Sequence, residues 1–90
     1  MNVDKAILAF LKGKEAQTPI RPIIGGGRGR TLYTDGNVLI NYSTRIARLE
    51  GNDLFLNIKK YSQTTSKIQN NIRTEASYLG LNIIEVDGEV

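Results

Sequence analysis

Apolar residues at Val3, Ala6, Ile7, Phe10 and Leu11 are spaced by three, one, three and one, the stripe of a short amphipathic helix. A side-chain oxygen on Asn2 or Asp4 is available to cap its start, and Gly13 supplies a stop. The period lapses from Gly13 to Arg30. Pro19 and Pro22 remove backbone donors there, and GGGRGR at 25–30 raises chain entropy. A flexible Pro/Gly-rich arm is expected at about 17–30, with Ile20, Ile23 and Ile24 tacking part of it onto the core.

A period of two takes over at TLYTDGNVLINY. Asp35-Gly36 is a hairpin signal between Leu32/Tyr33 and Val38–Ile40. STRIARLEGNDLFLNIKKY repeats the arrangement around a turn at 50–53. Leu54, Leu56 and Ile58 then fall on one face, and Phe55, Asn57 and Lys59 on the other. Two linked hairpins predict an antiparallel meander with one buried face. Ile68, Ile72, Ala76 and Leu79, spaced by four, four and three, predict a helix over 64–78 that Gly80 ends. LNIIEV at 81–86 reads as a last strand. The fold class is therefore α+β in a single domain over 1–90: a short N-terminal helix, an antiparallel β-meander, one longer C-terminal helix packed on the sheet, and a final short strand.

Composition narrows the chemistry. The chain has neither cysteine nor histidine, which removes disulfides, thiolate zinc sites, the commonest general base and the cysteine nucleophile. Its carboxylates stand in no catalytic spacing, so no enzyme activity, metal or cofactor is expected. No apolar run approaches the roughly 20 residues of a membrane span, and MNVDKAILAFLKGKEA makes a poor signal peptide. A cytoplasmic protein, without membrane contact, is the expectation.

Net charge is +3, but it is unevenly spread. Residues 1–34 and 45–73 each carry a net of +4, whereas Glu75, Glu85, Asp87 and Glu89 leave the end of the chain with four uncompensated negative charges. A basic body suits an anionic partner; the same asymmetry suits a homodimer joined through opposite ends.

Two stretches could hold an anion. GGGRGR fails the dinucleotide fingerprint, because Arg30 occupies its third glycine position, and it lacks the Lys-Ser/Thr end of a phosphate loop. What remains is flexible backbone beside Arg28 and Arg30, with Arg21 nearby, which reads equally as a nucleic-acid arm or as a solvated linker. In KKYSQTTSK at 59–67, Ser62, Thr64 or Thr65 can accept from the first amides of the second helix, and Ser66 with Gln69 fits a capping box. Capping explains the hydroxyls but not Lys59, Lys60 and Lys67. Cations at a helix start are unfavourable by roughly 0.3–1 kcal/mol each, and a bound anion reverses that sign. Edge protection is the alternative for the lysines. Phe55 becomes an exposed stacking ring if one sheet face is left uncovered, although a core role on a two-sided sheet is the favoured reading. Arg45 and Arg48, three apart on a strand, are expected on opposite faces.

Four motifs together resemble a group of small phage, plasmid and mobile-element proteins. Phe10 to Ala16 is similar to their F-L-x-G-K-x-A helix end, and Thr34-Asp35-Gly36 to their T-D-G turn. Tyr42 to Ala47 is similar to their Y-x-T-x-I-A strand, and Tyr61 to Lys67 to their Y-S-x-T-T-S-K motif. Members often carry histidine after that last lysine, where this chain has Ile68, and PIRPIIGGGRGR looks like an insertion. The resemblance implies a viral or mobile-element origin and brings no activity with it. The expected function is a non-catalytic binding protein that grips nucleic-acid backbone, DNA or RNA, through Lys59, Lys60, Ser62, Thr64, Thr65 and Lys67 together with Arg21, Arg28 and Arg30. The alternative is a modulator that binds a host protein, an anti-defence inhibitor for example.

Overall fold

The computed structural model describes residues 1–22 and 28–90, with the side chains of residues 21, 22 and 28 also outside the description. Helix α1 (Val3–Leu11) leads into two short paired strands, β1 (Arg21–Pro22) and β2 (Arg28–Gly29). Strands β3 (Leu32–Asp35), β4 (Val38–Asn41), β5 (Thr44–Glu50) and β6 (Asp53–Asn57) follow as a meander. Helix α2 (Gln63–Tyr78) and strand β7 (Asn82–Val86) close the chain. The main sheet has the order β3-β4-β5-β6-β7. Its first three pairings are antiparallel, and β7 joins β6 in parallel because α2 carries the chain back across the sheet.

The ends of both helices follow from single residues. Asn2 caps α1 by accepting from the Lys5 amide at 2.8 Å, and Ser62 caps α2 by accepting from the Thr65 amide at 3.2 Å. At the other ends Gly13 (φ +77°) and Gly80 (φ +72°) adopt the left-handed conformation. The amides of Lys14 and Leu81 then turn back to Ala9 and Ala76 carbonyls at 2.9 and 3.0 Å, the double closure of a Schellman motif. That closure folds Leu81, rather than the expected Leu79, against the core; Leu79 is exposed. Ile58 is exposed as well, since β6 ends one residue before it.

Both helices lie on one side of the sheet. Ile7 and Phe10 of α1 meet Ile68 and Ile72 of α2 over Leu32, Leu39, Ala47, Leu54 and Leu56. Asn71 of α2 donates to the Asp4 carboxylate of α1 at 2.6 Å, joining the helices at their rim. Within the stretch expected as a mobile arm, Thr18 is buried, and backbone bonds between 16–18 and Leu32 and Thr34 cover the outer edge of β3. Ile20 is exposed instead of tacked to the core, while Ile23 and Ile24 lie outside the described residues. Among the described residues no helix is long and apolar enough to cross a membrane.

Candidate nucleic-acid interface

The side of the sheet that neither helix covers is organised by an irregularity in β5. Ile40 pairs with Arg45 and Leu39 with Ala47, so Ile46 is an extra residue between two registered pairs. Ile46 turns fully into the core and shifts the alternation of everything before it. Arg48 lies opposite Val38 and Arg45 opposite Ile40; Val38 and Ile40, two apart, share a face. Both arginines therefore stand on the helix-free face, where a regular strand would have divided them.

Phe55 stands on that face too, directly opposite Arg48. The Arg48 guanidinium lies 4.6 Å from the ring centroid, a cation–π contact. The phenyl ring is half-buried, and the expectation that it belongs to a core is corrected: both helices pack on the other side, and among the described residues no helix covers it. Arg48 Nε is enclosed without a hydrogen-bond partner among the described residues, and Glu50 Oε1 stays 3.9 Å away. Stacking on Phe55 holds the guanidinium, and 34% of the side chain remains exposed. Tyr33, Ile40, Ile84 and Val86 continue the face across the neighbouring strands.

One fully buried side chain joins this face to KKYSQTTSK. The Asn57 amide donates to the Arg45 carbonyl at 3.2 Å and to the Tyr61 hydroxyl at 2.9 Å, and its oxygen accepts from the Lys59 amide at 2.9 Å. Tyr61 is thereby tethered beside the start of β5 with its ring exposed, and the Lys59 ammonium lies 5.9 Å from the ring centroid. There are thus two cation–aromatic pairs, Arg48 with Phe55 on the helix-free face and Lys59 with Tyr61, the second linked through Asn57 to the Arg45 backbone.

The rest of the expected helix-start patch separates. Ser62 is the cap, and its hydroxyl also donates to Thr65 Oγ1 at 3.1 Å. Thr65 is buried and donates on to Asn41 Oδ1 at 2.8 Å, so both hydroxyl protons are used within the protein. Ser66 and Gln69 form no capping box, because the Gln69 amide donates to the carbonyls of Asn57 and Lys59 at 2.7 and 2.9 Å. Thr64 and Lys67 are exposed on α2, Lys67 on the side away from the buried residues Thr65, Ile68 and Ile72. Lys60 lines a groove of 240 Å³ with Ile58, Ser66, Asn70 and Arg73. The three lysines thus point three ways.

The arginines of the expected arm do not add to this surface. The side chains of Arg21 and Arg28 lie outside the described residues. Arg30 is half-buried with an enclosed Nε, not a freely projecting cation. Among the described residues no group of three His, Cys, Asp or Glu could hold a metal ion. Compared with known family models, curated proteins and solved structures, the chain finds no match.

Proposed function

We propose that this protein binds single-stranded nucleic acid on the helix-free face of its sheet. The observation that carries the reading is the pair of cation–aromatic contacts, Arg48 on Phe55 and Lys59 by Tyr61, with Arg45 on the face of the first and linked through Asn57 to the second. Single strands offer unstacked bases to aromatic rings and phosphates to cations, and bind surfaces where the two alternate. A duplex hides its base faces and would use only the charges. Lys60, Thr64, Lys67 and the arginines of the 17–30 stretch become peripheral phosphate contacts at most. The source is a virus or mobile element, as the four-motif resemblance implies.

Fluorescence anisotropy with labelled single- and double-stranded oligonucleotides across a salt series tests this. Single strands should bind more tightly, and Phe55→Ala and Tyr61→Ala should each weaken them by roughly 1–3 kcal/mol, the contribution of one stacked base. Arg45→Ala with Arg48→Ala should flatten the salt slope by about 1.4, two contacts at roughly 0.7 each for a single strand. Lys67→Ala should change neither. Equal binding of duplex and single strand, insensitive to the Phe55 and Tyr61 variants, would defeat the reading.

A host-protein modulator is the second reading, and one observation favours it. Strand β7 closes the sheet with no strand beyond it among the described residues. Such an edge accepts an extended peptide by strand addition. Asn82 and Val86 bond inward to the β6 side, so the Glu85 amide faces the open edge. Capture of a host protein that Glu85→Pro abolishes, together with no oligonucleotide binding at low salt, would favour this reading over the first.

A further inference from the structure

Strand β5 overhangs its neighbour. The last registered pair between them joins Ala47 to Leu56, and β6 ends at Asn57 before the chain turns toward α2. Thr44, Arg45 and Ile46 therefore have no registered partner in β6. The Arg45 carbonyl is satisfied by the Asn57 side chain. Its amide is met by Glu89, whose Oε1 accepts from Arg45 N at 2.9 Å.

Glu89 reaches that point by a specific route. Strand β7 runs parallel beside β6 as far as Val86, whose carbonyl accepts from the Ile58 amide at 2.8 Å. Gly88 then adopts φ +138°, a conformation that side-chain-bearing residues rarely take, between the end of β7 and the residue that reaches Arg45. The carboxylate so delivered is exposed and makes no ion pair among the described residues. Glu85 behaves differently: it pairs with the Arg73 guanidinium at 2.6 Å. A carboxylate is thus seated on a backbone amide by one exposed hydrogen bond, on a residue whose carbonyl is tied through Asn57 to Tyr61, with Asp87 two residues away adding a second negative charge.

We infer that the Arg45 amide is an anion seat, that its ligand is a phosphate group, and that Glu89 is the resident carboxylate the phosphate displaces. The identity of that phosphate as one of a nucleic-acid strand rests on the function proposed above. The chemistry matches at the atom: a carboxylate and a phosphate oxygen accept from a main-chain N–H in the same geometry. Phosphates of bound strands commonly rest on backbone amides. Glu89 then acts as a brake on the face, because an incoming strand must remove a carboxylate before its phosphate can sit.

The amide resonance of Arg45 in a nitrogen–proton correlation spectrum reads the seat directly. It should be followed in wild type, Glu89→Gln and Gly88→Ala, each titrated with inorganic phosphate and with a thymidine oligonucleotide. The inference expects the resonance to move with either ligand, and at three- to ten-fold lower concentration in both variants. An amide that moves with phosphate alone keeps the seat and removes the nucleic-acid function. An amide that moves with neither ligand overturns the seat, and variants that respond at wild-type concentrations overturn the brake, whatever the anisotropy shows.

Discussion

Arg45 and Arg48 stand three residues apart on one strand and face the same side of the sheet, because Ile46 is inserted between the pairs that hold them. The core keeps Ile46 in that place, since its side chain is fully buried there. Ile46→Ala should destabilise the protein by about 2–5 kcal/mol, the range for truncating a buried aliphatic side chain, read as a lowered urea midpoint. Arg45→Ala should leave the midpoint nearly unchanged, as its side chain is exposed, and Arg48→Ala should cost only about 0.5–1 kcal/mol for its contact with Phe55. A large loss of stability in either arginine variant would mean that the helix-free face is structural.

Asn57 links that face to the start of α2, and it is fully buried. Asn57→Ala strips the Lys59 amide of its acceptor and the Arg45 carbonyl of its donor. Leaving such groups unpaired costs about 1–3 kcal/mol each, so the expected loss in urea unfolding is at the upper part of that range or above it. Asn57→Asp keeps the acceptor for Lys59 and loses the donors to Arg45 and Tyr61. The Tyr61 hydroxyl, a donor as well as an acceptor, reverses its role and donates to the new carboxylate. The Tyr61 ring should therefore stay tethered in Asn57→Asp and come free in Asn57→Ala, detectable as a change in tyrosine fluorescence anisotropy. Unaltered stability in both variants would show that water replaces the amide at no cost.

The elements were legible in the sequence wherever one residue type had one physical use. Asp35-Gly36 marked a hairpin, Gly80 marked a helix end, and Ile68, Ile72 and Ala76 marked the buried stripe of α2. The surface was less legible, because a bulge leaves no local signature. RIAR reads as strict alternation until the pairing with β4 is known, and that pairing is a contact between distant residues. Asn57 was hidden for a similar reason. An asparagine at a strand end looks like an ordinary turn residue until its three partners from three segments are assembled around it. The position of Phe55 depended on a tertiary choice, both helices packing on one side, that periodicity within either helix does not encode.

The hydroxyls of YSQTTSK divide into those that hold the fold and those that do not. Ser62→Ala removes the cap of α2 and should cost about 1 kcal/mol. Thr65→Val leaves the buried Asn41 oxygen without its donor and should cost about 1–3 kcal/mol. Thr64→Ala, an exposed site, should stay within roughly 0.5 kcal/mol of wild type. Thermal unfolding of the three variants under one condition would rank them, and a Thr64 effect as large as that of Thr65 would contradict the hydrogen-bond assignment.

Tyr42 is the one non-glycine residue among those described with positive φ, at +57°, and its ring is exposed. It opens the two-residue turn between β4 and β5, at the end of the sheet where Arg45, Asn57 and Tyr61 meet. The turn itself is pinned from outside, since the Thr31 carbonyl accepts from both the Tyr42 amide at 3.0 Å and the Asn41 side chain at 2.8 Å. A residue held in a sparsely populated conformation costs on the order of 1–3 kcal/mol, and such strain gathers at functional sites. Glycine adopts this φ without a Cβ penalty, at the expense of roughly 0.5–1 kcal/mol of extra chain entropy. Tyr42→Gly should therefore stabilise the protein by about 0.5–2 kcal/mol in urea unfolding. If the tyrosine is there for its ring, the same variant should weaken single-strand binding while Tyr42→Phe retains it. Stabilisation with unchanged binding would assign the strain to the turn alone, whereas a destabilised glycine variant would show that ring contacts, not the ligand, keep a tyrosine in this turn.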